Sequence, residues 1–164
     1  MIIQIKTEIK APAERCFLLS LSVDLHTKSA VRSGEKAISG ITKGIMKLND
    51  TVTWEARHFG IRQRLTSKIS ASSFPNYFIS TMVKGPFKKI HHQHIFHATD
   101  AGTTMTDLFE FEAPFGIFGK LAEKIFLAAY MTKFLLKRNA FIKHVAESEE
   151  WKNYLAPQDL KQAS

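Results

Sequence analysis

Residues 88–98 read Lys-Lys-Ile-His-His-Gln-His-Ile-Phe-His-Ala. As a strand, this stretch sends successive side chains to opposite faces. One face carries Ile90, His92, His94, Phe96 and Ala98. The other carries Lys89, His91, Gln93, Ile95 and His97. The first is bounded by apolar residues and is expected to point inward, yet it holds two histidines. Buried polar groups need partners, and polar groups on an otherwise apolar interior face often mark a cavity. His91 and His97 are expected to face solvent.

Working outward, residues 35–113 read as consecutive strands near 35–40, 50–59, 61–72, 76–84, 88–99 and 103–113. They are separated by turn residues at 48–50, Gly60, 72–76, Gly85-Pro86 and 100–102. Spacing this short implies antiparallel hairpins. Upstream, Ile3, Ile5, Thr7 and Ile9 alternate with Gln4, Lys6, Glu8 and Lys10, a half-buried strand. Ala11-Pro12-Ala13-Glu14 then starts a helix, with Pro12 in the first turn and Glu14 at the positive end of the dipole. A second short helix is expected around 24–30, ended at Ser33-Gly34.

Downstream, Ala113-Pro114-Phe115-Gly116 stops the last strand. Residues 118–146 read as one long helix with Leu121, Ile125, Ala128, Met131, Leu135, Phe141, Ile142 and Val145 at helical spacing. Lys137, Arg138, Lys143 and His144 suit its negative end. The polar segment 151–164, with Pro157, is expected to be a loosely ordered tail after a domain spanning 1–150. The order is α+β: a strand, two short helices, about six antiparallel strands, and a long C-terminal helix. A curved sheet gripping the helix satisfies it with one core and tends to leave a cavity.

The chain has 164 residues, enough for one domain with a sizeable core. Thirteen Phe against three Tyr and two Trp suit an apolar interior with few hydroxyl anchors. No apolar run approaches the ~20 residues that span a bilayer, and the N-terminal stretch lacks the apolar region of a signal peptide. Cys16 is the single cysteine, so no internal disulfide is expected. A cytoplasmic location is the simplest expectation. The formal net charge is +8, but the basic residues are scattered and form no long run. That argues for a solvated surface and against an anionic-membrane or nucleic-acid partner; integral membrane contact is not expected either. Cys16, beside Phe17, reads as a small buried hydrophobe rather than a nucleophile.

Several words of the sequence point further: Trp54, Ala56, His58-Phe59-Gly60, Gln63, Gly85-Pro86-Phe87, His92, His94, Phe96, Asp107 and the Pro114-x-Gly116 step, with Ala11-Pro12-Ala13-Glu14 as a weaker one. On these the chain resembles, over residues 2–146, the START-like or polyketide-cyclase-like (SRPBCC) superfamily, with the helix-grip fold of birch-pollen-allergen type. Gly-Pro-Phe followed by His-x-His looks like a branch of small bacterial ligand-binding members. The resemblance implies a curved antiparallel sheet of about seven strands wrapped round the C-terminal helix. It also implies binding of hydrophobic molecules, on which some members do chemistry. One departure is Ser80, where an acidic residue is expected two after Phe78.

Three strands place polar groups on the inner face. Val52, Trp54, Ala56 and His58 share one side of their strand; Met105, Asp107, Phe109 and Phe111 share one side of theirs. Asp107 is expensive to bury alone, and a histidine on the preceding strand is its natural partner. Three readings stand side by side: an Asp–His network that fixes strand register, a polar anchor at the end of an apolar pocket, and a catalytic or metal site. His-x-His suits a metal, but nothing in the spacing brings His58 or Asp107 in as third ligand. Neither a metal nor a cofactor is therefore assigned.

The candidate ligand-binding residues are Trp54, His58, Gln63, Phe78, Ser80, Met82, His92, His94, Phe96, Asp107, Phe109, Phe118 and Phe134. Inward phenylalanines such as these, and Phe111, are also what a plain core would contain. Phe115, Ile117 and Phe118, between Gly116 and Gly119, fit either a mobile lid or an ordinary cap. The expected function is binding of a small hydrophobic molecule with a His/Asp anchor. The alternative is a cyclase, dehydratase or isomerase in which His92 or His94 is general acid or base and Asp107 orients it.

Overall fold

In the computed structural model, which describes residues 1–31, 34–113, 121 and 126–162, the elements follow in this order: β1 (Ile2–Ile9), α1 (Ala13–Ser20), α2 (Val23–Ser29), β2 (Lys36–Gly40), β3 (Thr51–His58), β4 (Ile61–Ser73), β5 (Tyr77–Lys84), β6 (Lys89–Thr99), β7 (Gly102–Glu112), α3 (Ala128–Glu147), a 3-10 turn (Glu149–Asn153) and α4 (Pro157–Gln162). Each strand lies within a residue or two of the bounds that alternation and the turn residues imply. The helix expected over 118–146 is described from Ala128 onward. Ser33, the Pro114–Gly116 step and the lid or cap at Phe115, Ile117 and Phe118 lie outside the described residues.

The strands form one antiparallel sheet in the order β1-β7-β6-β5-β4-β3-β2. Only β1 leaves sequence order, because α1 and α2 separate it from β2 and let it close against β7. Register shifts interrupt the β2–β3 pairing between Ala37 and Ser39, and the β4–β5 pairing at Thr66/Ser67 and Ile69/Ala71. Extra residues of this kind bend a strand and increase its twist, which suits a sheet that curls around a helix. Ser22 accepts a hydrogen bond from the Leu25 amide and so caps α2, satisfying one of the free N–H groups of its first turn.

The apolar core falls into two clusters. One lies under α1, where Phe17 packs edge-on against Phe74, Phe78 and Phe96 with centroids 5.2–5.5 Å apart; Ile9, Met105 and Ile142 belong to it. The other contains Ile3, Ile5, Phe109, Phe111 and Leu135, with Ile90 packed against it. On each of four elements a polar residue stands between the two: Thr7 on β1, His92 and His94 on β6, Asp107 on β7, and Arg138 with Asn139 on α3. The clusters are thus separated by a polar layer.

Two expectations are corrected here. Ala98 is exposed, since β6 has run past the core by then. Residues 151–162 are not a loose tail: Leu155 is 3% exposed, Leu160 packs on the first cluster, and the Arg15 guanidinium sits 4.4 Å from the Trp151 ring centroid. Trp151, Tyr154, Leu155 and Leu160 give them an apolar face that their overall polarity conceals.

Candidate ligand cavity

Between the sheet, α2 and α3 lies a cavity of about 720 Å³. That volume falls within the range of small-molecule sites. β3, β4 and β5 turn alternate residues toward it, so Trp54, Ala56 and His58, then Gln63, Leu65 and Ser67, then Phe78, Ser80 and Met82 line it. β6 and β7 add His92, His94 and Phe109, and α3 adds Tyr130, Met131, Phe134, Leu135 and Arg138. Among the candidate residues, Trp54, His58, Gln63, Phe78, Ser80, Met82, His92, His94, Phe109 and Phe134 all reach this space.

Two candidates do not. Phe96 is buried against Phe17 and Phe78, because its level on β6 lies under α1. Asp107 is 0% exposed: His92, His94, Arg138 and Asn139 cover its carboxylate. It supports the cavity wall from behind. Phe118 lies outside the described residues.

The carboxylate of Asp107 is the hub of the polar layer. The register places His94 directly opposite it. Oδ1 lies 2.8 Å from His92 Nε2 in a hydrogen bond. His94 Nδ1 is 2.9 Å from the same oxygen but out of line for a hydrogen bond. Oδ2 accepts from Asn139 Nδ2 at 2.6 Å, and that nitrogen also reaches Thr7 Oγ1 at 3.2 Å. Arg138 Nη1 stands 3.8 Å from Oδ1, while Nη2 donates to the Ser20 carbonyl at 3.2 Å.

Burial works against charge at Asp107, yet the neighbouring His94 and His92 outweigh it and hold the carboxyl well below its usual range. Burial pushes His92 down despite its bond to Asp107. His94 is driven to about 3, first by burial and then by His92 beside it. The layer is therefore an ionised carboxylate and a guanidinium held among neutral imidazoles. Burial lowers the pKa of Arg138 as well, with Asp107 and Glu35 opposing that shift.

His92, His94 and Asp107 can bring two nitrogens and an oxygen within 4.8 Å of one another. The donor set suits a borderline metal. However, the oxygen in question already accepts from His92, and the Arg138 guanidinium faces it. A cation there meets a fixed positive charge.

A second polar group has no counterpart among the residues expected from the sequence. His26 on α2 lies against Trp54, ring centroids 4.2 Å apart, and its Nε2 is 3.4 Å from Glu35 Oε1. Burial alone would raise Glu35, but His26, His58 and Arg138 bring it below its ordinary value. Near the same group, on the strand that carries Trp54, His58 Nδ1 and Tyr130 Oη are 2.6 Å apart.

Arg138 is the instructive omission. Its charge suggested service at the negative end of the helix, but it is buried and lines the cavity. The signal was its position. Met131, Leu135, Arg138, Ile142 and Val145 recur at helical spacing, so Arg138 stands on the apolar stripe. His26, Glu35 and Tyr130 carry no comparable periodic signal. Cys16 is fully buried, and burial raises its thiol to about 11, as befits a core residue.

The architecture is the START-like (SRPBCC) helix-grip fold. Among solved structures, the chain is similar to a protein from Thermus thermophilus, with a TM-score of 0.71 at 16% identity, covering 88% of this chain and 95% of that one. It is also similar to major latex-like protein 151 of Panax ginseng, at 0.66 and 16% identity over 90% and 98%. A START superfamily protein of Mycobacterium smegmatis gives 0.66 and 11% over 88% and 98%. At such identities the shared property is the fold. No family model matches the sequence, nor does any curated protein. Among the described residues no helix is long and apolar enough to cross a membrane.

Proposed function

We propose that this protein binds a small, largely apolar molecule in the cavity, with Arg138, His92 and His94 as the polar end. The observation that carries this reading is a cavity of about 720 Å³ whose walls are mainly apolar and whose few titratable lining groups are Arg138 and Tyr130 on α3, His26 on α2, Glu35 before β2 and the histidines of β3 and β6. Trp54, Phe78, Phe109 and Phe134 offer flat surfaces to an apolar body. Arg138 offers donors to a ligand oxygen, because its counter-ion Asp107 already accepts from His92 and Asn139. The Asp107 anchor expected from the sequence thus acts through the residues it orients.

General acid–base work by His92 or His94 is less well supported. A catalytic group is most effective with a pKa near the working pH, and both imidazoles are pushed down, His94 to about 3. The reading is tested with a fluorescent apolar probe, 1-anilinonaphthalene-8-sulfonate. Ala56 lines the cavity, so Ala56→Phe should fill it. The reading expects saturable probe uptake by the native chain and at least a roughly tenfold loss in the variant, equivalent to about 1.4 kcal/mol. Equal uptake by both would count against it.

A further inference from the structure

The opening of the cavity carries features that ligand binding does not require. It is built by the β3–β4 hairpin, the β5–β6 connection and the start of α3, through Phe59, Ile61, Pro86, Phe87, Leu127 and Tyr130. Two large apolar lining residues stand in solvent, Phe59 at 62% and Ile61 at 63% exposure, and Phe126, next in sequence to the lining residue Leu127, is exposed at 68%. Phe59 also packs on Tyr130, centroids 4.8 Å apart, which joins the hairpin tip to α3.

The hairpin is unusual in two ways. His58 pairs with Ile61, so Phe59 and Gly60 form the two-residue turn, with φ of 52° and 76°. Both are left-handed, as a type I′ turn requires, and Asn, Asp or Gly ordinarily takes the first position. A bulky aromatic there is an outlier, and Phe59 is too exposed for core packing to repay the strain. Just behind the tip the register sets Arg57 opposite Arg62, both exposed. Like charges directly opposite on paired strands destabilise a sheet. Glu55 relieves little of this: it lies 4.0 Å from Arg62 but 2.8 Å from Arg64, its hydrogen-bond partner. Lys84 at the end of β5 and Lys133 on α3 are exposed as well.

We propose that this end of the molecule docks on an anionic lipid bilayer. Phe59, Ile61 and Phe126 enter the boundary between headgroups and acyl chains, and Arg57 and Arg62 lie at the level of the phosphates. Apolar residues at a tip with cationic residues one step behind match the layering of an anionic leaflet. Insertion removes Phe59 and Ile61 from water, and the leaflet supplies negative charge beyond the one long ion pair that Arg62 makes with Glu55. The overall charge of +8 favours the approach. Docked in this way, the cavity opens onto the hydrocarbon, so an apolar compound passes between bilayer and protein without crossing water. The proposal concerns the surface and goes beyond the binding reading; its test uses no cavity ligand.

The full chain is sedimented with vesicles of phosphatidylcholine containing roughly a third phosphatidylglycerol, at low and moderate salt, and with phosphatidylcholine alone. Phe59→Asn suits the left-handed turn better than phenylalanine, and a paired Arg57→Thr/Arg62→Thr replacement restores a favourable cross-strand pair, so both variants should fold. The native chain is expected to bind anionic vesicles in a salt-sensitive manner and to prefer them to neutral ones. Each basic side chain at the surface strengthens binding roughly fivefold, so the double replacement should weaken it at least tenfold. Phe59→Asn should weaken it roughly tenfold through lost apolar burial. A native chain that stays free of anionic vesicles at low salt overturns the proposal. So does unchanged binding by Phe59→Asn, which would leave no inserted tip, or by the double replacement, which would leave no role for the pair. A concentration-dependent dimer lost in Phe59→Asn would assign this face to a second copy of the chain and also overturn it.

Discussion

Asn139 on α3 donates to Asp107 on β7 across 2.6 Å, and this bond fixes how the C-terminal helix sits against the sheet. The same carboxylate takes a hydrogen bond from His92 on β6, while Asn139 reaches Thr7 on β1. Four elements therefore meet at one buried charge. Removing that charge leaves Arg138 buried without its counter-ion, and breaking a buried ion pair from one side costs about 3–5 kcal/mol. Asp107→Asn should lower unfolding stability by an amount in that range, measured by urea denaturation. A loss near that of an average surface substitution would show that the layer does not organise the core.

The polar layer also sets a pH dependence. His92 and His94 are held below their ordinary values in the fold. Below about pH 6.5 the unfolded chain binds protons that the folded chain refuses, so stability falls with pH at about 1.4 kcal/mol per unit for each histidine affected. For His94 this continues to about 3. Asp107, held low, adds a loss only as pH drops through the unfolded carboxylate range and below. Stability curves should decline from neutral pH toward pH 4, and His94→Phe should flatten part of that slope. A flat profile between pH 7 and 5 in the native chain would contradict neutral buried imidazoles.

Cys16 offers a probe of core opening. It is fully buried and its thiol is raised to about 11. Since the thiolate is the reactive form, a disulfide reagent at pH 8 should label it only at the rate of unfolding and label it promptly in denaturant. Immediate labelling of the native chain would show that α1 does not seal that side of the core.

The segment after Glu150 should contribute measurably. Ending the chain at residue 150 removes the buried Leu155 and the Trp151 ring beside Arg15. Losing one buried leucine and one cation–aromatic contact corresponds to about 2–5 kcal/mol. Thermal unfolding of the shortened chain should show a clear drop in midpoint; an unchanged midpoint would return this segment to the status of a loose tail.

Much of the fold was legible because period-2 alternation is a strong signal and the turns are short. The pairing of Asp107 with a histidine of the preceding strand was legible for the same reason, since neighbouring hairpin strands pair. What alternation cannot show is depth. Phe96 and Asp107 share the inner face with His92 and Phe109, but α1 covers the first and α3 closes over the second. Arg138 escapes a reading by charge because a cation near a helix end has a ready electrostatic explanation, even on the apolar stripe. His26 sits on a short helix and Glu35 in the link before β2, neither with a readable period. Charges scattered along the sequence hid Arg57 and Arg62, which strand pairing sets face to face.

The central claim is that the cavity holds an apolar molecule, and native mass spectrometry of freshly purified protein tests it most directly. The account predicts an additional organic mass that disappears on denaturation, or appears when the bare chain is incubated with a broad set of apolar metabolites. A chain that remains bare under both conditions would contradict it and leave the polar layer a purely structural role.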